Sequence, residues 1–262
     1  MTTLLRGRDA VVKTMTTAAT DAYFAAMPAD ATTASYYAGT LRAAGVPLPA
    51  GLTVTDSASG AEVRHPWIPG PTLLELPGWR SAEFLAAVRS IARWVRALEH
   101  TGARLDANLA NFVIPDGGNV TCIDVLPPLL AAHRPAEAGP WEQVIGGLCF
   151  DADITLCALA GYAARHLLRV LEPGPAAAGT IASALPICPG HPRPGDLAAR
   201  WFHSRLRTAG LAAAGRISVA EAEGLFTATS ARALQAAPPA SRHQYADAAL
   251  AILASALDRR TS

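Results

Sequence analysis

The stretch "LDANLANFVIPDGGNVTCID", residues 105–124, carries all three asparagines of the chain, Asn108, Asn111 and Asn119, together with Asp106, Asp116 and Asp124. Two short apolar runs, residues 112–114 and 120–123, flank Asp116-Gly117-Gly118-Asn119. A Gly-Gly pair accepts positive φ at both central positions of a two-residue turn, so the spacing predicts a β-hairpin. With Gly117 and Gly118 as the turn, Asn111 faces Asp124 across the hairpin. Asp106, five residues before Asn111, belongs to the loop at its open end. A carboxylate and an amide oxygen side by side are hard oxygen groups, the type that holds Mg²⁺ when phosphates supply the remaining ligands. The structural alternative is a decorated hairpin, with Asp106 capping its own loop amides and Asn111 and Asp124 bonding the hairpin ends.

Working outward, Ser81 is positioned to cap a helix in which Phe84, Leu85, Val88, Ile91, Val95 and Leu98 recur at steps of three and four, with Gly102 ending it. Upstream, "TLL", a turn at "RGRD" and "AVVKTM" read as a hairpin whose second strand carries Lys13, the one lysine of the chain. Residues 18–44 predict one or two helices, interrupted at Pro28 and stopped by "GVPLP". "GLTVTDSASGAEVRHPWI" predicts a second hairpin, closed by "PGP". A boundary near Thr72 divides a small part-β lobe, 1–72, from a mainly helical lobe, 73–262, with the hairpin at 104–128. Beyond Pro128, helices are expected at 141–148, 152–171, 196–213, 219–236 and 241–258, with Asp151, Ser218 and Ser241 as caps and "EPGPAAAG" and "PICPGHPRPG" as separators. The fold class is α+β.

The 262 residues are 51% hydrophobic with a formal charge of +1, which suits globular domains with a sizeable core. Basic residues form no stripe, so a nucleic-acid partner is not expected. Apolar runs are cut before they reach a membrane span, for instance at Arg165 and His166, so no membrane partner is expected. The N-terminus lacks the pattern of a secretory signal, and the four cysteines show no Cys-x-x-Cys spacing. Both point to a cytoplasmic protein with four buried thiols and no disulfide. The histidines have no mutual zinc spacing.

These motifs resemble the protein-kinase-like superfamily, and within it the aminoglycoside or small-molecule phosphotransferase branch. "AVVK" resembles the strand whose lysine holds the nucleotide phosphates, "LDANLANF" the catalytic loop, and "CID" the end of the metal-binding strand. The resemblance implies a two-lobe fold with a reduced N-lobe, ATP and Mg²⁺ as cofactors, and phosphate binding by Lys13. It implies Asp106 as the catalytic carboxylate, Asn111 and Asp124 as metal ligands, and an adenine-facing segment at His65, Trp67 and Ile68. The implied activity is transfer of the γ-phosphate to a hydroxyl of a small metabolite, or of a peptide Ser/Thr in natural-product biosynthesis. Departures from the pattern imply the alternative, a pseudokinase acting as a binding subunit, with a partner protein covering its open nucleotide face. Few residues precede Lys13, and no glutamate lies between Thr14 and Ala61, leaving Asp21 and Asp30 as the acidic candidates before Asp56. Arg104 replaces a histidine, and is expected to pair with Asp106 or Asp124.

Overall fold

The computed structural model describes residues 2–6, 10–15, 22–28, 30–58, 60–172, 174–188 and 197–234. The expected turn at residues 7–9, Asp21, His191, Ser241 and the helix at 241–258 lie outside the described residues.

The fold is mixed α+β, and both N-terminal hairpins form: β1 (Thr2–Arg6) with β2 (Ala10–Met15), and β3 (Thr53–Ser57) with β4 (Gly60–Pro66). Pairing of β2 with β4 joins them into one antiparallel sheet of order β1-β2-β4-β3. Along β2, Val11, Lys13 and Met15 are buried and alternate with half-buried neighbours, the period-two signature of a strand with one covered face. Lys13 lies opposite Val63, and Val11 opposite His65, so these four residues share the buried face. An ammonium on that face needs a partner, since lysine is almost never fully buried unpaired.

Pro28 separates α1 (Ala22–Ala25) from α2 (Ala31–Ala43). Asp30 is the N-cap of α2: its carboxylate accepts from the Thr33 amide at 2.8 Å. Asp56 of β3 accepts from the Ala31 amide at 2.9 Å and ties the helix start to the sheet. Both aspartates therefore serve helix architecture.

α3 (Ser81–Glu99) leads to the loop and to a short hairpin, β5 (Phe112–Val113) with β6 (Thr121–Cys122). Its register differs from the expectation by one residue. Phe112 pairs with Cys122 and Val113 with Thr121. Asn111 is therefore level with Ile123, whose amide donates to the Asn111 carbonyl at 2.8 Å, and not with Asp124. The bend is not a two-residue Gly-Gly turn. The Gly118 amide donates to the Pro115 carbonyl at 3.0 Å, and only Gly117 takes positive φ there, at 67°. The turn spans 115–118 instead of 116–119, and seven residues, 114–120, an odd number, separate the paired Val113 and Thr121, which shifts the pairing. The segment after β4 lies along this hairpin: the Ile114 amide donates to the Pro71 carbonyl at 3.1 Å, and Thr72 bridges Val113. Gly70, at φ +134°, is required here, because a side chain would put a Cβ 2.5 Å from the Ile114 carbonyl oxygen.

Among the described residues five more α-helices follow: α4 (Pro140–Phe150), α5 (Ala152–Val170), α6 (Pro175–Ala182), α7 (Leu197–Ala213) and α8 (Val219–Leu234). α6 occupies the stretch expected as a separator. Pro175 in the first turn loses no helical bond, and the alanines after it are the best helix formers. Asp151 holds the N-cap position of α5 without a side-chain cap bond, whereas Ser218 and Glu221 form a reciprocal cap at the start of α8. Trp141, Val144, Ile154, Cys157 and Phe202 pack into a core cluster of α4, α5 and α7. Cys157 and Cys188 are joined by a disulfide, which corrects the expectation of four thiols; Cys122 and Cys149 are not disulfide-bonded. The tertiary packing brings their Cα atoms to 4.7 Å across a separation of 31 residues, which no local motif announces. Among the described residues, no single helix is long and apolar enough to cross a membrane.

By contacts the chain forms two compact units. One is Met1–Leu76 with Arg89–Ala136, and the other is Pro77–Val88 with Glu137–Ser262. The hairpin assigned from sequence to the helical lobe thus groups with the N-terminal sheet.

In the second unit the Glu223 carboxylate accepts from Arg165 at 3.0 Å and from Arg169 at 2.8 Å. Burial pushes this carboxyl up, but the two arginines outweigh it and hold it below the usual carboxylate range. A depressed folded-state pKa contributes stability that is present above the unfolded value, about 4.5, and lost as pH falls through the folded value. Thermal denaturation should therefore show the melting temperature dropping below about pH 4.5. Glu223→Gln should cost about 3 kcal/mol near neutrality and flatten that acid limb.

Candidate functional site

The single lysine is the point from which the site is built. β2 carries Lys13 to the buried face with 6% of its surface exposed. Its Nζ donates to the Ile123 carbonyl at 2.9 Å and forms an ion pair with Asp124 Oδ2 at 3.1 Å. Neither Asp30 nor any residue of α2 supplies the counter-charge; Asp124 does. The second oxygen of Asp124 accepts from the Leu126 amide at 3.2 Å. Just before it, the fully buried Cys122 thiol, pushed up to about 12 by burial, donates to the Asp124 carbonyl at 3.3 Å. Such a thiol is inert as a nucleophile. It fixes main chain.

The loop is ordered by its own polar side chains. Asp106 Oδ1 accepts from the Asn108 amide at 3.0 Å, and Asn108 Oδ1 accepts from the Ala110 amide at 3.1 Å. These successive Asx turns wind the chain into the 3₁₀ turn Leu109–Asn111. Asn111 Nδ2 then donates to Asp106 Oδ2 at 2.9 Å, which leaves the Asn111 amide oxygen available as an acceptor or ligand. Asp106 is open to solvent on one side. Enough protein surrounds its carboxyl, however, that desolvation raises its pKa above the ordinary value, helped by the Asp124 charge and opposed by the bonds from Asn108 and Asn111. Lys13 also acts electrostatically on Asp106. Asp106, Asn111, Asp124 and Lys13 are thus drawn together within the first unit, by a different register from the one expected.

Arg104 takes a structural role. It donates through Nη1 to the carbonyls of Leu98, Thr101 and Ala103, closing the C-terminal end of α3, while the Tyr37 hydroxyl donates to the Arg104 carbonyl at 2.8 Å. Its guanidinium answers the end of the helix dipole.

His65 is buried at the end of β4, and both Lys13 and Asp124 act on it electrostatically. Burial lowers its pKa, leaving a neutral ring. Nδ1 lies 2.8 Å from the Pro66 carbonyl, which can only accept, so Nδ1 carries the proton. Nε2 is then a buried acceptor with no hydrogen-bond partner among the described residues, although the Ile123 backbone also acts on the ring. Its side chain was not singled out by spacing, since only the strand pairing sets it on the face of Lys13. Trp67, exposed, and Ile68, half-buried, follow on the irregular segment after β4.

Chemically, the cluster offers a buried cation, a carboxylate beside it, an amide oxygen and a second carboxyl open to solvent. Asp124 and Asn111 are hard oxygen donors of the type that fits Mg²⁺ with one or two protein ligands. Among the described residues, no group of three or more His, Cys, Asp or Glu is arranged to hold a metal, so a self-sufficient transition-metal site is not built there. Removing either partner of the Lys13–Asp124 pair leaves an uncompensated charge. Asp124→Asn is expected to destabilise the protein by about 3 kcal/mol. The double variant Lys13→Met/Asp124→Asn should recover a large part of that loss in chemical denaturation. Additive losses would show that the pair carries no coupling. No protein-family model matches the chain, and no curated protein matches it.

Proposed function

We propose that this protein is a kinase-like phosphotransferase that uses ATP and Mg²⁺ to phosphorylate a hydroxyl, on a small metabolite or on a peptide Ser/Thr. The observation that carries the reading is the joining of Lys13, from the buried face of the sheet, to Asp124, from the hairpin, in the same unit as the Asp106–Asn111 bond. The strand order β1-β2-β4-β3 with α2 tied to β3 is compatible with the reduced N-lobe of that fold. Phosphoryl transfer is mostly positioning and charge neutralisation, so few groups suffice.

Each residue then has a task. Lys13 offers its ammonium to phosphate oxygens, exchanging Asp124 for them. Asp124 and Asn111 would hold Mg²⁺, which when bound neutralises charge on the phosphates. Asp106, open to solvent and pinned by Asn108 and Asn111, orients the acceptor hydroxyl and receives its proton. His65, Trp67 and Ile68 line the segment after β4 that would face the base.

One observation favours a second reading, a pseudokinase that binds a partner protein across the nucleotide face. Both oxygens of Asp124 already have donors, Lys13 and the Leu126 amide. If that pair does not open, no nucleotide is held.

Purified protein should melt at a higher temperature with ATP and Mg²⁺ together than with either alone, and should release ADP when given an acceptor. Asp106→Asn should slow turnover by about 10²–10⁴-fold, and Lys13→Ala should abolish the nucleotide-dependent shift. The absence of any shift at millimolar nucleotide would favour the binding-subunit reading. Turnover unchanged in Asp124→Asn would remove the site assignment.

A further inference from the structure

The second unit contains a cavity of about 880 Å³ among the C-terminal end of α5, α6, the C-terminal end of α7 and the start of α8. Protein interiors pack as densely as organic crystals and keep few voids larger than water. A space of this size falls in the range of ligand pockets, about 300–1,000 Å³. The cause is legible in the helices around it. "AAAG" occurs twice, at 176–179 and 212–215, and most of these small residues line the space, where larger side chains would close it. The remaining walls are aliphatic, including Leu168, Ile181 and Ile217. Water gains nothing from such walls, so the occupant has an apolar body.

One part of the lining is charged, by Arg169 and Glu223. Glu223 is saturated: Arg165 and Arg169 donate to both of its oxygens. Two guanidinium groups face one carboxylate, and the buried Arg205 also acts on it, so the cluster keeps net positive charge. That charge is presented by Arg169, whose side chain is 41% exposed. Nε and Nη2 of Arg169 are engaged by Glu223, and Nη1 has no partner among the described residues. A guanidinium held rigid by one carboxylate, with a free edge on an apolar cavity, is built to receive a second anion.

We propose that this cavity is a binding site for an amphiphile with a hydrocarbon body and a single carboxylate head, the head bonded to Nη1 of Arg169. The site lies wholly within the second unit and does not depend on the phosphotransfer reading.

The test uses the full chain and the fluorescent fatty acid cis-parinaric acid, titrated to saturation and then displaced by C12 competitors. Dodecanoate is expected to displace it, and dodecylamine is not. Arg169→Gln should weaken dodecanoate by roughly tenfold, Arg169→Lys should restore part of the loss, and Ala212→Phe should remove probe binding. Circular dichroism and thermal melting establish that each variant is folded. Absence of probe binding by the folded wild type would overturn the proposal. So would equal competition by dodecanol and dodecanoate that is unchanged in Arg169→Gln.

Discussion

A buried ammonium tolerates few arrangements, and the first unit depends on one of them. Lys13 lies on the covered face of the sheet, where desolvation of an unpaired charge would cost several kcal/mol. Its charge is met by Asp124 and its remaining hydrogen-bonding capacity in part by the Ile123 carbonyl, the latter 110 residues away in the chain and the former the residue after it. The β2 strand and the hairpin are thus mutually obligatory. Everything that fixes the hairpin end also fixes the lysine: Cys122 on the Asp124 carbonyl, the Leu126 amide on its carboxylate, and the Ile123 amide on Asn111.

This pairing also gives the site its chemical character. Under the phosphotransferase proposal, the carboxylate that would hold Mg²⁺ is the one that now pairs Lys13, so nucleotide phosphates would have to replace Asp124 at the ammonium. Nucleotide binding and metal affinity would then be linked through Lys13 and Asp124. His65 adds a neutral ring to the face that holds Lys13, with Nε2 unbonded among the described residues.

The second unit solves a different problem. Its helices are rich in alanine and glycine, which allow close approach, as at Gly78, where an added Cβ would lie 2.1 Å from the Val170 carbonyl oxygen. The same small residues leave space where helix ends diverge. Its ion cluster at Glu223 sits beside that space, and its disulfide links Cys157 of α5 to Cys188 beyond α6.

Local preferences were readable from the chain. Strands at "AVVKTM" and "AEVRH", the break at Pro28, the long helix before Gly102 and the polar loop at 105–111 all follow from periodicity, caps and turn chemistry within short windows. What failed to follow was each matter settled between distant segments or by a choice among turn types. The hairpin slipped by one residue because the turn closed at Pro115–Gly118, not at Asp116–Asn119 with Gly-Gly at its centre. The partner of Lys13, the duty of Arg104 and the Cys157–Cys188 bond were likewise undetermined. The sequence by itself determined most of the segments that become helix or strand, α6 excepted, and where its rare polar side chains stand, since backbone and side-chain preferences act over a few positions. Only the tertiary structure decided which of those residues meet, because burial forces each charge and polar atom to find its partner wherever in the chain that partner lies.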